Sequence, residues 1–272
     1  MTVLQAIILG VVQGLTEFLP VSSSGHLVLV NYYLGWGEHL PLYVDIATNT
    51  GTFFAVLIAL RTDVWMALRG ALSGMFNADA RRTEGWRLAL LVIAGSVPTA
   101  IIGLALRNVF EALNAPIPVA IALAVTGVIL WTAPRPAFTN ARTAKMNAHD
   151  LTFRDAVLAG IAQGVAVVPG ISRSGSTIAA LLHLGASGPL AARLSFLLYL
   201  VASAGVAILG FREVSASDLE VGPLVAMTIA SFVTGYLAIL ALFSVLRQGQ
   251  FKWFAPYLWG IASITLIHAL VN

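Results

Sequence analysis

Six stretches of this chain, near residues 42–60, 87–106, 115–133, 190–211, 221–245 and 253–271, are long, apolar and almost free of charge. A membrane-crossing helix needs about 20 such residues. The composition agrees. Of 272 residues, 58% are hydrophobic and 10% charged, with a mean hydropathy of +0.89, where a soluble domain carries about 25% charged residues. Aromatic residues gather at the ends of these stretches: Tyr32, Tyr33, Trp36 and Tyr43, then Trp65, Trp86, Trp131, Trp253, Tyr257 and Trp259. That is where a bilayer's interfaces would hold them.

Two further apolar regions, near 3–34 and 153–186, are each broken midway by Pro, Gly and Ser. Each half is short for a crossing. Such helices dip into a membrane and return when their open backbone lines a protein cavity. The expected class is an all-α integral membrane protein with six transmembrane helices and two re-entrant helix pairs.

The net charge of +3 invites a nucleic-acid reading. The basic residues form no stripe, however; they sit in the gaps between apolar runs, which is a topology signal. Arg61, Arg69, Arg81, Arg82 and Arg87 lie between or at the edges of the first two spans. Arg135, Arg142, Lys145 and Arg154 follow the third, and Arg247 and Lys252 follow the fifth. The other side has only Arg107 and Arg212, the latter beside Glu213, Asp218 and Glu220. The first group is therefore expected in the cytoplasm, with both termini outside. The first broken helix then enters from outside and the second from the cytoplasm. No nucleic-acid partner is expected. With no cysteine in the chain, disulfides, zinc–thiolate sites and thiol nucleophiles are excluded. The first apolar stretch lacks a basic lead-in and a clear small-residue cleavage site, so no cleaved leader is expected.

Residues 6–25, AIILGVVQGLTEFLPVSSSG, align without a gap on 156–175, AVLAGIAQGVAVVPGISRSG. Ala6, Gly10, Gln13, Gly14, Ser22, Ser24 and Gly25 match Ala156, Gly160, Gln163, Gly164, Ser172, Ser174 and Gly175. With the sidedness above, the copies run in opposite directions. One domain, 1–272, is thus expected to hold two inverted repeats, 1–133 and 151–272, with their broken helices meeting near the midplane.

The copies differ where chemistry would need them to. The first has Glu17, Ser23 and His26; the second has Val167, Arg173 and Ser176. A helix starting after Ser172 points free N–H groups at the Ser-Gly turn, a ready anion site. Ser174, Ser176 and Thr177 add hydroxyls, and Ser22, Gly170 and Gly175 are expected, with Gln13, Ser172, Ser174 and Thr177, to bind the substrate. Arg173 holds its charge at any working pH and can grip two phosphate oxygens. Ser172 alone would serve as a helix cap, but an unpaired Arg in a membrane half-helix costs about 2.5–3.5 kcal/mol. Glu17 carries a similar penalty unless an Arg, a proton or a metal compensates. Gln13 lies one turn before it on the same face, so the two could hold a divalent cation with phosphate oxygens completing its shell. His26 suits acid–base work near neutral pH. His39, His149, His183 and His268 read as peripheral; Asp45 and Arg193, at the starts of spans, read as interfacial or supporting. No GxxxxGK[ST] is present, so no nucleotide P-loop is expected.

QGLTEFLPVSSSGH (13–26) and PGISRSGST (169–177) closely resemble the two signature motifs of the bacterial undecaprenyl-diphosphatase, or bacitracin-resistance, family. GSVPTAIIGL (95–104) and RLSFLL (193–198) resemble further landmarks, and the similarity runs over almost the whole chain. The resemblance implies an enzyme of the bacterial cytoplasmic membrane, its site opening to the outer, periplasmic face. It implies removal of the terminal phosphate of undecaprenyl diphosphate, with Mg²⁺ or Ca²⁺ as cofactor. By position, Gln13 and Glu17 match the acidic motif, Ser23 the proposed nucleophile and His26 the imidazole; Ser172, Arg173, Ser174 and Thr177 match the phosphate-binding turn. Gln13 stands where the motif also accepts Glu, which leaves Glu17 as the motif's only carboxylate, and a Pro usual after the SFLL segment is missing at Leu200-Val201-Ala202. The partners implied are a polyprenyl diphosphate and the bilayer; a homodimer is compatible with this reading. The rival from another class is a transporter or flippase of a phosphorylated lipid, which would need the cradle but neither nucleophile nor metal.

Overall fold

Helix α1 (Val3–Phe18) begins at a reciprocal cap. Thr2 Oγ1 accepts from Gln5 N at 3.2 Å, and Gln5 Oε1 accepts from Thr2 N at 2.9 Å. One hundred and fifty residues later the same device starts the helix Phe153–Val165. Thr152 Oγ1 accepts from Asp155 N at 3.2 Å, and the Asp155 carboxylate accepts from Thr152 N at 2.8 Å. Such boxes satisfy two of the N–H groups a helix start leaves open. The two halves of the chain thus start alike locally as well as in sequence.

The computed structural model describes residues 1–36, 40–106, 109, 112–134, 145–210 and 220–271. Arg107, Arg135, Arg142, Arg212, Glu213, Asp218 and His39 lie outside the described residues. The remaining helices are α2 (Ser23–Leu34), α3 (Leu42–Ala59), α4 (Arg61–Phe76), α5 (Glu84–Ala105), α6 (Pro116–Thr132), α7 (Phe153–Val165), α8 (Arg173–His183), α9 (Gly188–Gly210), α10 (Val221–Arg247) and α11 (Phe254–Val271). Among the described residues the only β-type pairing is an isolated bridge between Lys145 and Ala186.

Among the described residues, five helices are long and apolar enough to cross a membrane: Leu42–Ala59, Glu84–Ala105, Gly188–Ile208, Val221–Arg247 and the segment Phe251–Val271. Helix α6 is equally apolar but 17 residues long. Helix α4 has no counterpart in the sequence reading, which treated its residues as a connection. It follows α3 after a single non-helical residue, Leu60. α9 continues through Leu200, Val201 and Ala202 without a break, so the missing Pro leaves a continuous helix.

The outer faces are apolar. Ile93, Val97, Ile101 and Leu104 form an exposed stripe on α5, and Val225, Ile229, Val233 and Leu237 form one on α10. Water would not tolerate stripes of this length on a monomer; hydrocarbon would.

Helices α1 and α7 pack crosswise, each against a long helix of the other half. α1 lies along α10 and α7 along α5. Both contacts use a matched glycine. A Cβ on Gly10 would stand 2.5 Å from Met227 O, and one on Gly160 would stand 2.8 Å from Gly95 Cα. Small residues at these points let backbones approach, as membrane helices require where lipid supplies no hydrophobic drive between them. The crosswise packing carries the ends of α1 and α7 to a common place.

Candidate active site

Two turns meet there. α1 ends at Phe18 because Pro20 follows two residues later, and α2 restarts at Ser23 with Ser22 as its cap. α7 ends at Val165, and α8 restarts at Arg173 with Ser172 as its cap. Gly170 N donates to Ser22 Oγ at 3.1 Å, joining the turns directly. Ser174 Oγ reaches Leu19 O at 3.4 Å. Gly170 has φ +93°, and a Cβ there would lie 2.6 Å from both Ala122 Cβ and Val119 O. Both the backbone angle and the space exclude any side chain.

Ser22 is the only non-glycine residue with positive φ among the described residues, at +70°. Such conformations cost about 1–3 kcal/mol and persist where their surroundings over-determine them. Ser22 Oγ accepts from Gly170 N and from Gly25 N. Its carbonyl accepts from His26 N at 3.1 Å and His26 Nδ1 at 2.8 Å.

Glu17 is the electrostatic centre. Its side chain is 3% exposed, and three donors converge on it. Gln13 Nε2 lies 2.9 Å from Oε2, the Ser23 hydroxyl donates to the same oxygen, and Arg173 Nη2 lies 3.0 Å from Oε1. The helical spacing of Gln13 and Glu17 accounts for the first contact, since residues four apart face each other. The other two exist only because the turns meet. Arg173 also lies 5.0 Å from the centre of the Tyr199 ring, within cation–π range. Tyr199 is fixed in turn by a 2.9 Å hydrogen bond with Thr52 Oγ1 and by the edge of Phe18.

The phosphate-binding candidates divide. Ser172 Oγ caps α8 by accepting from Gly175 N at 3.0 Å and lies 3.3 Å from Ser174 Oγ. Thr177 is fully buried and donates its hydroxyl to Arg173 O at 2.8 Å, so it braces the helix that carries Arg173. Ser176 Oγ is buried without a hydrogen-bond partner. His26 stands apart from the carboxylate. Nδ1 faces a carbonyl and therefore carries the proton; Nε2 then accepts from Tyr257 O–H at 2.9 Å, with the two rings stacked at 6°. Arg193 joins Asp63 at 2.6 Å and Glu84 at 2.7 Å, tying α9 to α4 and α5 rather than to Glu17.

Tyr199 and Thr126 are absent from the sequence reading, and Tyr257 enters it only as an interfacial aromatic. Thr126 Oγ1 donates to Gly170 O at 2.8 Å and accepts from Ser172 N at 3.2 Å, holding the second turn. A hydroxyl inside the otherwise apolar run of α6 was the available signal.

Beside Glu17, Arg173 and Tyr199 lies a cleft of about 10 Å³, also lined by Gln163, Ser174, Ser195 and Phe196. A cavity of that size holds roughly one water.

The model of the bacitracin resistance protein BacA family matches residues 6–264. The chain belongs to this family. It is 64% identical to an undecaprenyl-diphosphatase of Acaryochloris marina, covering 98% of each chain. It is 42% identical to one of Desulfosudis oleivorans, covering 97% of each, and 37% identical to one of Alkaliphilus metalliredigens, covering both completely. The family's match spans both turns and all the residues around Glu17.

Proposed function

We propose that this chain removes the terminal phosphate of undecaprenyl diphosphate, returning the monophosphate lipid that carries cell-wall precursors. The observation that carries this reading is the contact of Ser23, Glu17 and Arg173 at the junction of two helix starts. A nucleophile touching a base, with that base oriented by further groups, is the arrangement covalent catalysis needs. The names of the relatives support the substrate.

Arg173 and the N–H groups at the start of α8 grip the diphosphate, and the Ser23 oxygen attacks the terminal phosphorus. Its proton passes to Glu17, the bond from that phosphorus to the bridging oxygen breaks, and the lipid monophosphate leaves. Water then splits the phosphoserine, releasing phosphate and restoring the Ser23 hydroxyl. Most of the rate comes from positioning and charge stabilisation. Gln13 orients Glu17, and Tyr199 orients Arg173.

Among the described residues no group of three or more His, Asp or Glu side chains forms a metal cage. One carboxylate with an amide oxygen and a hydroxyl nearby instead suits Mg²⁺, which is commonly held by one or two carboxylates plus substrate phosphates. Glu17 and Gln13 would hold it, and it would neutralise charge on the diphosphate oxygens.

The six-span topology includes α6, with α1–α2 and α7–α8 as re-entrant pairs and 1–133 and 151–272 as inverted repeats within one domain. The matched caps, matched glycines and crosswise packing support this. The basic residues on one side support a cytoplasmic-membrane protein whose site opens outward.

The test is phosphate release from a C55 or C15 prenyl diphosphate by purified protein, with Mg²⁺ or chelator. Release that depends on the cation and disappears in Glu17→Ala and Arg173→Ala is expected. Substrate binding without release would overturn the enzyme reading in favour of a lipid carrier.

A further inference from the structure

A second cluster of arginines lies in another part of the fold, where the short turn Asp79–Arg82 that follows α4 meets the starts of α5 and α7. It lines an open depression of about 510 Å³ in which Arg81, Arg82, Arg87 and His149 are joined by the apolar Trp86, Leu90 and Phe153. Among the described residues none of these arginines has a carboxylate partner. Asp79 shares the short turn of Arg81 and Arg82 without pairing with either among the described residues; the other nearby acids are engaged elsewhere. Glu84 pairs with Arg193, Asp150 accepts from Met146 N and Asn147 N, and Asp155 pairs with Lys145.

Two of the arginines are held in place. Arg81 Nε donates to Gly74 O at 2.8 Å, and Arg87 Nη2 donates to Leu151 O at 2.6 Å with its guanidinium 4.3 Å from the Phe153 ring centre. Each guanidinium has five donors, so most remain free. Three like charges around one depression, two of them held in place, repel each other, and an anion with several acceptor oxygens relieves that.

The apolar wall says what kind of anion. From Phe153 an exposed stripe runs down α7 through Val157, Ile161 and Val165; from Leu90 another runs down α5 through Ile93, Val97 and Ile101. The two helices pack side by side. At 1.5 Å per residue, Phe153 to Val165 is about 18 Å, close to one leaflet of a hydrocarbon core about 30 Å thick. Trp86 sits at the top, where interfacial Trp belongs. We propose that this cavity binds the phosphate headgroup of an anionic membrane phospholipid, with its acyl chains along the α5–α7 stripes. Basic pockets between membrane helices on the cytoplasmic side are suited to such headgroups. The lipid would bridge the two halves of the chain at the seam where α7 crosses α5.

Native mass spectrometry of the purified protein in detergent, titrated with dioleoyl phosphatidylglycerol or dioleoyl phosphatidylcholine, tests this. Phosphatidylglycerol should half-saturate at a concentration at least tenfold lower than phosphatidylcholine. Arg82→Gln should remove that preference while leaving phosphate release from prenyl diphosphate unchanged; among the described residues Arg82 makes no hydrogen bond or ion pair whose loss would unfold the chain. Equal retention of the two lipids would overturn the proposal. So would an unchanged preference in Arg81→Gln/Arg82→Gln, or displacement of phosphatidylglycerol by equimolar inorganic phosphate, which would make the acyl stripes irrelevant. Displacement by equimolar undecaprenyl phosphate would also overturn it and make the cavity a second site for the product.

Discussion

Glu17 and Arg173 form one ion pair, but removing either partner should have unequal consequences. The Glu17 side chain is 3% exposed and that of Arg173 is 29%. Breaking a buried pair costs about 3–5 kcal/mol when the charge left behind has no water. Arg173→Gln leaves Glu17 in that position, softened by Gln13 and Ser23, so the lower end applies, about 3 kcal/mol. Glu17→Gln leaves Arg173 with partial access to water and the Tyr199 face beneath it, so the penalty should be about 1 kcal/mol. The double variant removes both charges and should lose about 2 kcal/mol rather than the additive sum, a coupling within the range for contacting residues. For a chain of this size a kilocalorie corresponds to roughly 2–4 °C of midpoint. Thermal unfolding in one detergent should therefore rank Glu17→Gln above the double variant and both above Arg173→Gln. All three should lack phosphate release. If Glu17→Gln is the least stable, or if the two losses simply add, the burial asymmetry does not govern the pair and the reasoning fails.

Three further outcomes follow from the same geometry. Ser23→Ala should lower phosphate release by about 10²-fold or more while the chain still binds prenyl diphosphate, because the nucleophile goes and the cradle stays; retention of most activity would show that water attacks directly. Gly170→Ala should give a poorly folded, inactive protein, read as loss of the monodisperse peak in detergent chromatography, since the new Cβ meets Ala122 and a left-handed backbone at once. The chain has no cysteine, so single cysteines at Ala78 and Gln248 should label in inverted membrane vesicles, which expose the cytoplasmic face, and one at Tyr33 in intact cells; labelling of Ala78→Cys and Tyr33→Cys from the same side would refute the topology.

The helices and the two turns were legible because their signals are local. Apolar length marks a long membrane helix, and Pro20, Gly170 and the Ser-Gly pairs interrupt the shorter ones. The repeat made the relation between the turns legible too, since seven matched positions at one offset predict two like structures. α4 was not legible: its charges, Arg61, Asp63 and Arg69, read equally well as a loop. Tyr257 and Tyr199 were hidden for a different reason. Their roles rest on contacts across 231 residues to His26 and 147 to Thr52, and no local pattern encodes such pairings. His26 shows the limit from the other direction. Its motif suggests acid–base work near neutral pH, and the ring turns to Ser22 O and Tyr257 because one helical turn back lies a carbonyl and not the carboxylate.

The same ion pair reconciles two demands that otherwise conflict. A fixed cation in a membrane half-helix needs a counter-charge, while an anion site needs that cation free. Glu17 supplies the counter-charge in the resting chain, and the cleft beside it has room for about one water. On the proposed reaction, a terminal phosphate would have to open that cleft and draw Arg173 from Glu17. Binding would therefore exchange one anion for another on Arg173 and strip the cation from Oε1 of Glu17, while Oε2 keeps the Ser23 hydroxyl. The base would be strongest at the moment the phosphorus is in place. A bulk solvent nucleophile would gain nothing from that exchange, because the carboxylate it would need remains paired until the lipid has occupied the site.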